Sequence, residues 1–262
     1  MATVSLWLLV VGASLSLAGP AMGQTSAASG RAPAVPRMLD GKPDFSGIWQ
    51  ALNTAAVDIQ DHSAAKGTAA GQGVVEGGDI PYQPWALAKK RDNFSNRQTA
   101  DPLSQCYQPG VPRVMYLPFP IQILQTPDYI SVVSEYTHGV RHLYMNSPHP
   151  RGPIEWWMGD SRGHWEGDAL IVDVRHFGPS NWFDQAGNFH SDALHLAERY
   201  TLLDADHLTY EVMVEDATVF TRPWKMSMLL YRHVEPDFQI LDYECHSFHS
   251  ESDRDASISK GR

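Results

Sequence analysis

From Tyr129 onward, apolar and polar residues alternate in short runs. "YISVVSEY", "VRHLYM", "DALIVDVRHF", "DALHLAERYTLL", "HLTYEVMVE", "WKMSMLLYR" and "FQILDYECHSF" each carry a period near two, and Gly, Pro, Asp or Asn separates them. That period marks a strand with one buried face, and closely spaced strands without intervening helices predict an antiparallel meander. "THG" reads as a three-residue hairpin loop, and Gly167-Asp168 as a turn into a strand, with Trp165 available to cover a barrel end. Closure removes the edges of such a sheet most simply. The expected fold is therefore mainly β, an antiparallel up-and-down β-barrel of lipocalin or calycin type, with a β-sandwich as the alternative.

The remaining segments have other patterns. Residues 1–23 read as a secretory signal: the apolar run Val4–Leu17 is too short to span a bilayer, and "AMG" gives a cleavage site near Gly23. Residues 24–43 are small, polar and Pro-bearing, which predicts a flexible leader. A single barrel domain is expected over 44–249, with an Ala/Gly-rich mobile insertion at 51–79. One N-terminal helix is expected at 84–96, opened by Pro84, and a disordered tail at 250–262.

Charge narrows the partners. A formal charge of −10 with no basic stripe argues against nucleic acid, and "KKR" at Lys89–Arg91 fits the solvated face of the helix. No second apolar run is long enough to span a membrane. Export to the periplasm or beyond permits a disulfide, and the only two cysteines, Cys106 and Cys245, are expected to form it.

The alternation sorts side chains by face. Leu170, Val172 and Val174 share one; so do Tyr210, Val212 and Val214, and Trp224, Met226, Met228 and Leu230. In "ALHLAERY" the same test groups Glu198 and Tyr200 with Leu194 and Leu196, leaving His195 and Arg199 outside. A carboxylate on an apolar face is costly unless paired, so Glu198 is either the partner of Arg141 or Arg232, or an acid–base group with a raised pKa. Strand parity also places His176 with Val174, and His142 inward beside Tyr144. Twelve histidines raise the question of a metal, but His190, Asp192, His195, His149 and His164 match no spacing with a built-in geometry, so no metal or other cofactor is expected. Aromatic residues exceed what a small core needs. Arg141, Tyr144, Trp157, His176, Tyr200, Tyr210 and Trp224 are the expected ligand-binding set for a small apolar or aromatic molecule in a barrel pocket.

"GDSRGHWEGDALIVDVRHF" (Gly159–Phe177), "GNFHSDALHLAERY" (Gly187–Tyr200), "VFTRPWKMSMLLYR" (Val219–Arg232) and "DPLSQCYQPGVPR" (Asp101–Arg113) resemble a large group of exported bacterial β-rich proteins without a settled reaction. Arg175 and His176 replace smaller polar residues of that pattern. "SGIW" at Ser46–Trp49 is similar to the opening Gly-x-Trp of lipocalin-type barrels, a likeness that implies an arginine such as Arg232 over Trp49. The expected function is that of an exported, cofactor-free enzyme using acid–base chemistry (hydration, dehydration, isomerisation or cyclisation). Glu198 would transfer the proton, with His195, His149 or Asp160 at the pocket mouth. The alternative is a ligand-binding barrel without turnover.

Overall fold

The computed structural model describes residues 34–65 and 68–246. The expected signal segment, the first part of the expected leader and the expected tail lie outside the described residues. Nine strands close into one barrel in chain order: β1 (Gly47–Ala51), β2 (Ile121–Gln125), β3 (Tyr129–Ser134), β4 (Val140–Met145), β5 (Asp160–Glu166), β6 (Ala169–Arg175), β7 (His195–Leu202), β8 (His207–Glu215) and β9 (Trp224–Arg232). The helix, α1 (Pro84–Ala100), falls between β1 and β2 and runs one turn beyond its expected end. The sandwich alternative is thereby excluded.

All neighbours are antiparallel except β4 and β5, which pair in parallel with Leu143 opposite Ser161. The chain therefore crosses back outside the barrel between Met145 and Asp160, where a plain meander would have used a hairpin. β1 closes the ring between β2 and β9. Gly47 has a positive φ of 134°, and a side chain there would run into Arg232. That guanidinium covers the Trp49 ring at 4.2 Å, as the sequence led us to expect. Trp165 covers the same region by stacking on Phe45, with ring centres 5.4 Å apart.

The barrel is filled. Val172, Leu196, Tyr210, Met226 and Leu230 are all buried within it, on the faces that alternation assigned, and Trp49 is buried with them. Where β1 stops, the 51–79 segment takes over the seam. Glu76 N–H donates to the Lys225 carbonyl and Ser227 N–H to the Val74 carbonyl, both at 2.9 Å. Ala55 and Ile59 of that segment are fully buried, so what reads as a loose insertion is packed against the rest of the protein. Cys106 and Cys245 form the disulfide across 139 residues of chain. No helix among the described residues is long and apolar enough to cross a membrane.

Candidate functional site

Two carboxylate centres emerge, one inside the barrel and one outside. Inside, parity on β7 turns Glu198 inward, and parity on β4 turns Arg141 toward it. Arg141 donates to both Glu198 oxygens, with Nη1 at 3.0 Å from Oε1, and to Ser161 Oγ at 2.9 and 3.0 Å. The Tyr210 hydroxyl donates to Oε1 at 2.5 Å, and the Tyr200 hydroxyl lies 3.3 Å from the same oxygen. The Arg141 and Glu198 side chains are 1% and 0% exposed. Burial, and next the charge of Glu198, push both tyrosine hydroxyls up from their ordinary range. Burial works against the charge on Arg141, but Glu198 outweighs it and holds the guanidinium raised. Every oxygen of Glu198 is occupied, and nothing in this arrangement leaves it as an unpaired acid. Trp224 is also internal, edge-on to Phe183 and Phe220.

Outside, the crossover before β5 brings together residues from five separate segments, itself and strands β5 to β8. His149 Nδ1 lies 2.6 Å from Asp160 and its Nε2 2.6 Å from Asp173. His195 Nε2 lies 2.5 Å from the other Asp173 oxygen, and its Nδ1 3.0 Å from Glu215. Arg162 grips Asp160 with two bonds of 2.7 Å, and Arg175 Nε donates to Asp173 at 2.7 Å. The result is one continuous chain, Arg162–Asp160–His149–Asp173–His195–Glu215. An imidazole with a carboxylate at each nitrogen can donate to both only when doubly protonated. Partial burial works to raise the Asp173 pKa, but hydrogen bonds from Arg175, His195 and His149 prevail and hold it at about 2. Asp160 is likewise lowered, because Arg162 and His149 outweigh its burial.

A cleft flanks the chain at each end. The first, about 350 Å³, is walled by Tyr144, Trp156, Trp157 and Met158, with Asp160 and Arg162 at its base. Trp157 is braced by Tyr107, with ring centres 4.9 Å apart, and donates to the Gln108 carbonyl at 2.6 Å. The Arg162 guanidinium lies 4.6 Å over Tyr144. Gly159 permits this tight floor: its φ is 69°, and a Cβ would meet the Phe177 ring at 2.7 Å. The second cleft, about 290 Å³, is lined by Ile154, Glu155, Arg175, His176, Leu194 and His195, among others.

Several expected site residues move. Arg141, Leu143 and Met145 take the inward parity of β4, so Tyr144 and His142 face outward. Tyr144 still meets Trp157, but in the outer cleft and not in a barrel pocket. His176 lies beyond the end of β6 with φ of 61°, which breaks the alternation and takes it off the Val174 face. His149, Asp160 and His195 are brought together, as a set separate from Glu198. Asp173, which joins them, was missed; its signal is an acid at an outward position between Val172 and Val174, two residues before Arg175.

Of the histidines weighed for a metal, His149 and His195 come together, through Asp173, and the others stand apart. His190 is buried against Ser191, and His164 faces solvent beside Glu166. Among the described residues, one trio of candidate ligands comes within 4.8 Å, the exposed His138, Asp242 and Glu244. Comparison with known protein families gives no match, and comparison with curated proteins gives none either.

Proposed function

We propose that this protein binds a small molecule with a flat, apolar portion in the outer cleft of Tyr144, Trp156 and Trp157. The observation that carries this reading is a set of ring faces open to solvent beside polar groups that already satisfy one another. Tyr144 and Trp156 are 41% and 36% exposed, and with Trp157 they line one cleft, so their exposed ring surface is contiguous rather than scattered. Arg162 gives two N–H groups to Asp160 and a third to Ser147. The cleft therefore holds few free polar groups, and a ligand's affinity would come mainly from ring contact and apolar burial.

The filled barrel supports placing the ligand outside. The buried pairing of Glu198 with Arg141 supports the same choice. The setting we propose is outside the cytoplasm, a reading supported by the Cys106–Cys245 bridge and the apolar run at Val4–Leu17.

The test is saturation-transfer NMR with indole, p-cresol and cyclohexanol as probes, on the native protein and on Trp157→Ala. We expect transfer to the two aromatic probes, weakened at least tenfold in affinity by the substitution, a loss of about 1.4 kcal/mol. Equal binding by both proteins would remove the cleft from consideration.

A further inference from the structure

We infer that the second cleft is a proton-transfer site for carbonyl compounds, with His176 as the base and Arg175 as the group that holds the oxyanion. The inference rests on the reading above, since it uses the ring-binding cleft to seat the substrate.

The backbone carries the first part. Successive residues of an extended strand point to opposite sides, so Arg175 and His176 should not share a surface. The left-handed φ of 61° at His176 cancels that alternation, and both side chains line the same cleft. A residue with a Cβ rarely adopts this conformation, and strain of this kind collects at functional sites.

The hydrogen-bond inventory carries the second part. His149 and His195 have both nitrogens committed to carboxylates. The His176 ring makes no hydrogen bond among the described residues. It is held by ring contacts alone, edge-on to Trp156 at 5.7 Å and to His149 at 5.8 Å. Of the three imidazoles, it is the one with a nitrogen to offer. Arg175 is anchored through Nε to Asp173, its Nη2 lies 3.4 Å from His195 Nε2, and its side chain is 53% exposed; Nη1 has no partner among the described residues. Asp173, fixed by two histidines, thus acts as a positioning residue for the guanidinium. The other ionisable groups of the cleft are Glu155, Asp192 and His195.

The third part is adjacency. Trp156 lines the first cleft and meets the His176 ring edge-on at 5.7 Å, so the base stands next to a residue of the ring-binding site. The chemistry needs no co-reactant. A His176 nitrogen takes the proton from the carbon next to the carbonyl, and the C–H pair becomes the C=C bond. The carbonyl π pair moves to oxygen, where Arg175 N–H groups receive it. Return of the proton to the same carbon gives exchange, and return to another carbon of a conjugated substrate gives isomerisation.

The experiment is exchange of the benzylic hydrogens of 1-phenylpropan-2-one in D2O, followed by proton NMR, with saturation transfer to the same probe as a separate measure of binding. We expect exchange at least about 100-fold faster than with equal free imidazole. His176→Asn, whose side chain tolerates the left-handed conformation, should bring it to background with binding kept. Arg175→Met should lower the rate at unchanged binding. A probe that binds without exchanging, or exchange that survives His176→Asn, would overturn the inference and leave the binding reading standing. A probe that does not bind at all would remove both.

Discussion

Glu198 and Asp173 are both carboxylates among cations, on adjacent strands of the same sheet, yet they occupy opposite situations. Glu198 lies inside, with Arg141, Tyr200 and Tyr210 filling its coordination and no solvent in reach. Asp173 lies outside, a hub whose partners His195 and Arg175 open onto a cleft. The difference teaches that a suspicious carboxylate on a strand is a sound clue to an important position and a poor clue to its role. What decides the role is whether its partners leave any group facing a space a ligand can enter.

The comparison is sharpest where one partner is removed. Glu198→Gln strands the Arg141 charge in the core, and urea unfolding should register a loss of about 3–5 kcal/mol. Replacing both, Arg141→Met with Glu198→Leu, should cost clearly less than that single change. If the double variant costs as much as the two singles summed, the pair is not coupled as described.

A third carboxyl tests the rule from the middle. Asp184 is fully buried like Glu198, but without a cation against it; it accepts N–H groups from Ile59 and Asn188 and lies near Asp58. Burial, then the charge of Asp58, push its pKa up to about 7. A carboxyl raised in the folded state binds protons that the unfolded chain has released. Its stabilising effect is therefore complete below about pH 4 and declines as pH rises to about 7, by up to about 4 kcal/mol. Comparing Tm across that range, Asp184→Asn should lack this decline. A variant as pH-dependent as the native protein would place the titration elsewhere.

Asp173 should show the opposite sign. Held at about 2, it contributes stability above the ordinary carboxyl range, lost as pH falls from about 4 toward 2. Because the group is partly exposed, the amount is small, about 1 kcal/mol or less. Asp173→Asn should leave the neutral-pH Tm within a few degrees while releasing Arg175. Acid titration of the two proteins checks this, and identical acid limbs would show that the chain is not held by Asp173.

The sheet was legible because alternation is strict on β6 to β9, where a buried face is written in Leu, Val, Met and Tyr. The same logic found Glu198 and named Arg141 among its partners. It failed on β4, where "VRHLYM" offers an arginine at the inward parity and a tyrosine at the outward one. There the buried ion pair overrode the usual preference, and the register slipped by one. The parallel seam between β4 and β5 could not be read, since the crossover before Asp160 carries no periodic signal of its own. The outer chain joins residues from the crossover and from four strands, β5 to β8, which no local spacing could bring together. His176 depended on one backbone angle.

The covalent bridge divides the ring unequally. Every strand from β2 to β9 lies within the stretch bounded by Cys106 and Cys245, and β1 alone lies outside it. Eight staves are thus strung on one closed loop, and the ninth is held between β2 and β9 by pairing, by the Trp49–Arg232 stack and by side-chain bonds such as Gln50 to the Pro118 carbonyl. A cut between β1 and Cys106 would therefore leave β1 with no covalent tie to the other strands, whereas a cut anywhere between Cys106 and Cys245 would leave both halves joined through the bridge.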